Sequence, residues 1–137
     1  MAERILLVDD ERGFVQILGE RLKFRGHQVR TAFSGEEALE KLKEEDADVV
    51  ILDVRMPGMD GLGTLREIKL MWPLTEVILL TGHAATETAI EGVKNGAFGY
   101  FIKPAEFEDL VEKIAAAGAR KAEQEQKILS HDGPSDT

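Results

Sequence analysis

Four short apolar runs rich in branched residues stand out along the chain, at residues 5–8, 49–52, 77–80 and 100–102. A weaker run at residues 28–32 alternates polar and apolar positions. Unbroken apolarity is typical of strands buried on both faces, as in a parallel sheet covered by helices, whereas alternation is typical of an edge strand. The pattern therefore predicts five strands, with buried strands at the centre of the sheet.

Segments with helical periodicity separate these runs. The first carries Phe14, Ile17, Leu18 and Leu22 at helical spacing, which predicts that one face of this helix is apolar. The helix is predicted to end near Gly26, because glycine readily adopts the left-handed conformation that follows a helix.

The other four helices have recognisable starts or stops. Ser34 and Glu37 have the spacing of a capping box, in which the hydroxyl and the carboxylate satisfy backbone amides at a helix start. The remaining three helices are predicted at about 62–71, stopped by Pro73; at about 86–94, closed by Gly96; and from about 106 onward, extending to about 129. A strand followed by a helix, five times over, predicts a doubly wound α/β fold with helices on both faces of the sheet.

Composition narrows the class of protein. A chain of 137 residues, 43% hydrophobic and 31% charged, is expected to fold as one domain, which we place at residues 1–120, with a helical extension and a flexible linker or tail at 121–137. The net charge of −9 argues against direct binding to nucleic acid. No apolar run reaches the length of a membrane span or of a signal peptide's apolar region, and there is no cysteine, so a cytoplasmic protein is expected.

Polar side chains follow each of the four apolar runs. Asp9 and Asp10 follow the first, Asp53 the second, Thr81 the third and Lys103 the last. Ligands of open parallel sheets bind beyond the carboxyl ends of the strands, so these five side chains are expected to converge at one edge. Each of them alone could be an ordinary strand end, but the five together indicate a functional site.

The chemistry of these side chains favours phosphoryl transfer. Three converging carboxylates repel one another unless a cation lies among them, and Mg²⁺ prefers such hard oxygen ligands. An aspartate next to the cation could attack phosphorus, as carboxylates do in enzymes that form aspartyl phosphates. Lys103 could neutralise phosphoryl oxygens, and the Thr81 hydroxyl could donate a hydrogen bond to one of them.

At these motifs the chain resembles the receiver domains of two-component response regulators, over residues 3–120. The similarity lies in the acidic opening at 7–11, the phosphorylation loop at 52–61, the switch strand at 80–82 and the final Lys-Pro pair at 103–104. The resemblance implies a flavodoxin-like fold with five parallel strands in the order 2-1-3-4-5. Residues 81–89 and 96–100 are most similar to the receivers of enhancer-binding transcription activators.

The resemblance also implies roles for individual residues. Asp53 would be the phosphoacceptor, with Thr81 and Lys103 contacting the phosphoryl group. Asp9, Asp10 and Asp53 would hold Mg²⁺ directly or through water, and the backbone carbonyl of Arg55 would be a further ligand.

Three more residues take roles by resemblance. Tyr100 would turn inward when the switch threonine moves, Arg55 and His83 would flank the phosphoryl group and tune its loss, and a cis peptide would join Lys103 to Pro104.

The resemblance further implies a signalling role rather than an ordinary enzyme. The phosphoryl donor would be the phosphohistidine of a sensor histidine kinase, or a small donor such as acetyl phosphate, and the domain would catalyse its own dephosphorylation. The face formed by the fourth helix, fifth strand and fifth helix would respond. That face could support a homodimer, and the output domain could be fused or separate.

Three other readings remain open. A Mg²⁺-dependent phosphohydrolase of the haloacid dehalogenase type also uses an aspartate nucleophile, but its D-x-D pattern follows the first strand, where this chain has adjacent Asp9 and Asp10. A flavodoxin-type flavin module would need a phosphate-binding loop at that same acidic position. A degenerate receiver acting as a binding scaffold is the third reading, and it is disfavoured because the switch positions are intact.

Overall fold

The structure is a computed structural model that describes residues 2–55, 61–82 and 86–131. In these segments five strands alternate with five helices. The strands are β1 (Arg4–Val8), β2 (Gln28–Ala32), β3 (Val49–Leu52), β4 (Glu76–Thr81) and β5 (Gly99–Ile102). The helices are α1 (Arg12–Phe24), α2 (Gly35–Glu44), α3 (Gly61–Met71), α4 (Thr86–Lys94) and α5 (Phe107–His131).

The strands form one parallel sheet in the order β2-β1-β3-β4-β5, which confirms the predicted topology. Every residue of β3 and β4 is buried. All four residues of β5 are only half-buried, although this segment is as apolar as the central strands. The reason is its position, because β5 pairs with β4 alone and lies at the edge of the sheet.

Apolar side chains fill both faces of the sheet, because successive strand residues point in opposite directions. One core packs β1 and β3 against α2, α3 and α4, through Leu6, Val50, Leu42, Leu65 and Ala89 among others. The other packs the same strands against α1 and α5, through Leu7, Ile51, Leu18, Leu110 and Ile114 among others. Helices thus cover both faces, as the doubly wound prediction requires.

The inner face of α1 differs from the prediction. Val15 is buried, whereas the side chain of Ile17 is 64% exposed. Leu18 and Leu22 are buried as expected, and Phe14 is half-buried. The helix is therefore rotated so that the stripe through Val15, Leu18 and Leu22 meets the sheet, and Ile17 lies beside it.

Helix ends follow the local signals in the sequence. Gly26 and Gly96, two residues past the ends of α1 and α4, both have positive φ, 96° and 111°. At the start of α2 the Glu37 amide donates to the Ser34 hydroxyl at 3.1 Å, and the Phe33 amide donates to the Glu37 carboxylate at 2.8 Å. This confirms the predicted capping box.

Charged residues attach α5 to the amino-terminal edge of the sheet. The Lys121 side chain is only 4% exposed, with its Nζ 3.3 Å from an Asp48 oxygen and 2.7 Å from a Glu125 oxygen. Its neighbour Arg120 pairs with the buried Glu76 at 3.2 Å. The helix continues without a break through residue 131, which includes most of the predicted extension and tail at 121–137. Residues 132–137 lie outside the described residues.

None of the helices in the described segments is both long enough and apolar enough to span a membrane.

His27 makes stability depend on pH. Its side chain is buried, and its Nδ1 accepts a hydrogen bond from the Glu3 amide at 3.0 Å. Burial lowers the pKa of His27 from its ordinary value of 6.5, with the N-terminal charge and Arg25 acting in the same direction. Below that value the unfolded chain binds a proton that the folded chain excludes, so the free energy of unfolding should fall as the pH falls.

The His27→Gln variant tests this expectation, because its amide oxygen can accept the same bond without titrating. We expect urea denaturation at about pH 7.5 and about pH 5.5 to show a larger loss of stability for the wild type than for the variant. The other two histidines are unchanged in the variant, so equal losses in both proteins would contradict a role for His27.

Candidate functional site

The carboxyl edge of the sheet brings the predicted carboxylates together. Asp9 follows β1 directly, Asp10 is next in the loop before α1, and Asp53 follows β3. Each offers one oxygen, and these three atoms lie within 4.8 Å of one another. Asp9 and Asp53 are buried, whereas Asp10 is exposed.

Asp53 has a defined orientation. Its Oδ1 accepts a hydrogen bond from the Thr81 hydroxyl at 2.7 Å and another from the Arg55 amide at 3.0 Å. Its Oδ2 lies 3.6 Å from the Lys103 ammonium, which is beyond ordinary hydrogen-bond length. The two oxygens therefore have different environments: Oδ1 accepts two hydrogen bonds, and Oδ2 faces a cation.

Lys103 contacts two of the acidic residues and lies near a third. Its Nζ donates to Asp9 at 2.6 Å and to Glu11 at 3.0 Å, and it lies 4.3 Å from the centre of the Phe14 ring. Neither Glu11 nor Phe14 was predicted to contact the site lysine. The run of three acidic residues after β1 was the available signal for Glu11, since a strand-end lysine needs partners.

Burial and hydrogen bonding set the charges of the site. Burial raises the pKa of Asp9 above its ordinary value of 3.8, although hydrogen bonds from Lys103 and the Glu11 amide oppose the rise. Burial lowers the pKa of Lys103, but hydrogen bonds to Asp9 and Glu11 outweigh it, and the net effect raises this pKa above 10.5. The lysine is therefore a cation at neutral pH.

These groups are chemically suited to a divalent cation and a phosphoryl group. The burial that raises the pKa of Asp9 is a cost that a bound cation would offset, and three carboxylate oxygens close together suit Mg²⁺. An oriented carboxylate next to an ammonium and a hydroxyl could accept phosphorus and stabilise its oxygens.

Other predicted participants are only partly described. The Arg55 side chain is exposed, and its carbonyl as a metal ligand stays a prediction. His83, and residues 56–60 of the predicted phosphorylation loop, lie outside the described residues. The Lys103–Pro104 peptide is cis, as predicted. Tyr100 is half-buried and packs against the core that contains α4.

The sequence matches the family model described as the response regulator receiver domain over residues 5–115. The transcriptional regulatory protein ZraR of Escherichia coli K12 is 44% identical over 106 residues, which cover 77% of this chain and 24% of that protein. The regulatory protein AtoC of the same organism is 40% identical over 107 residues, 78% of this chain and 23% of that protein. The chain thus spans about a quarter of the length of these relatives.

Comparison with solved structures indicates the same family. A response regulator receiver domain protein from Clostridium thermocellum has a TM-score of 0.83 at 41% identity and covers 87% of this chain and 96% of its own. NtrX from Brucella abortus has a TM-score of 0.86 at 33% identity, covering 94% of this chain and 30% of its own. The predicted likeness to the receivers of enhancer-binding transcription activators is confirmed by the relatives. Sequence, fold and comparisons together show that the chain belongs to the response regulator receiver domain family.

Proposed function

We propose that this receiver domain accepts a phosphoryl group on Asp53 in a Mg²⁺-dependent reaction and changes shape in response. The observation that carries the proposal is the asymmetric environment of the Asp53 carboxylate. Thr81 and the Arg55 amide hold one oxygen, and the Lys103 ammonium faces the other without reaching it.

In the proposed transfer, an Asp53 oxygen forms a bond to phosphorus while the bond from phosphorus to the donor breaks. With a histidine kinase the broken bond is the P–N bond of phosphohistidine, and the imidazole leaves with the bonding electron pair. With acetyl phosphate the P–O bond breaks and acetate leaves. Lys103 and Thr81 would contact the phosphoryl oxygens, and hydrolysis of the resulting acyl phosphate would return Asp53 to its carboxylate.

The metal would be held by Asp9, Asp10 and Asp53, with the Arg55 carbonyl as a further ligand. When bound, Mg²⁺ supplies positive charge that neutralises the phosphoryl oxygens and the converging carboxylates. The carboxylate geometry and the raised pKa of Asp9 support this assignment.

Thr81 would couple phosphorylation of the site to a change in the surface of the domain. A phosphoryl group adds about −1.5 to −2 charges and three acceptor oxygens, so it competes for the hydroxyl that now donates to Asp53. Tyr100 would turn inward in consequence, altering the face of α4, β5 and α5. That face could also form a homodimer.

Partners and boundaries are part of the proposal. We place the domain in the cytoplasm. Its phosphoryl donor would be a sensor histidine kinase, as the family resemblance implies, and its effector would be a fused or separate output domain. Residues 1–120 would form the receiver, and residues 121–137 the extension towards the output. The net charge of −9 favours protein partners over direct contact with nucleic acid.

Intact-mass measurement after incubation with acetyl phosphate and Mg²⁺ tests the proposal. We expect a gain of one phosphoryl group in the wild type, and none in the Asp53→Asn variant or in wild-type protein with EDTA. Circular dichroism verifies that the variant is folded.

The alternatives give different results. A degenerate receiver would remain folded but show no gain in mass, and it would not bind beryllofluoride, a mimic of the phosphoryl group. That result would overturn the proposal. Catalytic turnover of phosphate monoesters would favour the phosphohydrolase instead. A mass gain that persists in Asp53→Asn would place the acceptor at another residue.

A further inference from the structure

The hydrogen bonds of Lys103 leave one part of its ammonium uncommitted. An ammonium has three N–H donors, and two of them go to Asp9 and Glu11. Asp53 Oδ2, at 3.6 Å, is beyond hydrogen-bond length. A donor and an acceptor of opposite charge thus face each other with a gap between them.

Asp9 and Glu11 compete with Asp53 for the ammonium. Opposite charges at this separation attract each other, and the Lys103 side chain is flexible enough to close the remaining distance. Asp9 lies beside Asp53 in the carboxylate cluster, whereas Glu11 is at the exposed rim, with 66% of its side chain accessible. Glu11 therefore draws the ammonium outward, away from the Asp53 oxygen.

We propose that Glu11 is a positioning residue that holds Lys103 off Asp53, so that Asp53 Oδ2 stays available to an incoming phosphoryl group. Without the Glu11 carboxylate the ammonium moves onto Asp53 and forms a direct ion pair. That pair must then be broken whenever a phosphoryl group enters. The Phe14 ring, 4.3 Å from Nζ, limits movement of the ammonium on another side.

This inference rests on the proposed function, because it concerns the approach of a phosphoryl group to Asp53. A simple charge effect predicts the opposite sign. Glu11 is an anion near the site, so removal of its charge alone would make the binding of another anion tighter, not weaker.

Two substitutions separate contact from charge. Glu11→Gln keeps the size of the side chain and removes its charge. Glu11→Asp keeps the charge and shortens the side chain by one methylene, which moves the carboxylate back from Lys103 and weakens its hold on the ammonium. Glu20→Gln, at an exposed position of α1, removes the same charge away from the site and serves as the matched control. Melting temperatures verify that all variants are folded.

Calorimetric titration with beryllofluoride at saturating Mg²⁺ measures affinity for a phosphoryl mimic. We expect Glu11→Gln and Glu11→Asp both to bind about 2- to 5-fold more weakly than the wild type, in the range of partly exposed ion pairs. Glu20→Gln should match the wild type. Tighter binding by Glu11→Gln with unchanged Glu11→Asp would show a charge effect and overturn the inference, as would unchanged binding by both.

Nitrogen-15 spectra of the lysine ammonium groups, recorded without ligand, give an independent readout. The Lys103 signal should be visible in the wild type, because hydrogen bonds slow its exchange with water, and shifted in both Glu11 variants. The same signal in all variants would show that Glu11 does not hold Lys103. Failure of the wild type to bind beryllofluoride at all would instead overturn the proposed function.

Discussion

Replacing Gly61 with alanine is expected to lower the free energy of unfolding by about 3 kcal/mol, because the new methyl group has no room. Gly61 is the first residue of α3, and its amide donates to the Val54 carbonyl at 3.2 Å. A Cβ there would lie 2.8 Å from the Val54 carbonyl carbon and 2.9 Å from the Asp53 carbonyl oxygen, and closer still to the Val54 Cα. These are backbone atoms, which cannot rotate away as a side chain can.

The clash also acts on the site, since relieving it requires displacement of the backbone that carries Asp53. We therefore expect Gly61→Ala to take up beryllofluoride more weakly as well. Gly13→Ala is the matched control, because nothing lies within 4 Å of its added Cβ in α1. Alanine there should be neutral or stabilising by up to about 1 kcal/mol. Urea denaturation of the two variants measures both effects, and equal stabilities would contradict the steric explanation.

Replacing Asp48 with alanine is expected to lower the free energy of unfolding by about 2–3 kcal/mol, because it removes a carboxylate from a partly buried ionic cluster. Asp48 accepts from the Arg4 amide at 2.8 Å and pairs with the nearly buried Lys121 ammonium at 3.3 Å. Without the Asp48 carboxylate the Arg4 amide lacks this acceptor, and Lys121 keeps its ion pair with Glu125. Asp46→Ala, which removes a more exposed partner of Arg4 at 2.9 Å, should cost less than about 1 kcal/mol.

A double-mutant cycle tests the coupling. Lys121→Met keeps the length of the side chain and removes its charge, so the Asp48→Ala, Lys121→Met double variant should be more stable than the sum of the single losses predicts, by about 1 kcal/mol or more. Strict additivity would show that the two charges do not interact.

Acid should weaken the same cluster. Burial raises the pKa of Asp48, but hydrogen bonds from the Arg4 amide and guanidinium, helped by Lys121, outweigh it and lower this pKa below 3.8. As the pH falls through 3.8 the unfolded chain binds a proton before the folded chain does, so the stabilisation is present above that pH and is lost below it. The stability difference between wild type and Asp48→Ala should shrink accordingly in denaturation at decreasing pH.

Much of the fold could be predicted because its signals are local. Unbroken apolar runs mark β1, β3 and β4, and the Ser34–Glu37 capping box and Gly26 mark helix ends. The rotation of α1 could not be predicted, because the stripe with Ile17 and the stripe with Val15 are both helical in period, and the packing angle on the sheet selects one. The half-burial of β5 follows from its place at the edge of the sheet, which the family resemblance implied but the apolarity of the segment alone does not reveal.

The site divides in the same way. The convergence of Asp9, Asp53 and Thr81 follows from the rule that parallel strands end at one edge. The residue types and their positions after the strands were therefore enough to predict this part of the site. The contact between Glu11 and Lys103 depends on the directions of their long side chains. The positions of the strands do not determine these directions. The rotamers of Lys103 and Glu11, and not their places in the sequence, create the contact.

The continuity of α5 has a mechanical consequence. At about 1.5 Å per residue, its 25 residues form a rod of about 37 Å, which begins after the Lys103 loop and is pinned at Lys121 on the opposite edge of the sheet. A rigid displacement of its first turn would therefore be transmitted along the helix to the residues beyond Lys121. Because each helical residue turns by about 100°, inserting a single residue after Lys121 would swing everything beyond it to a different side of the domain.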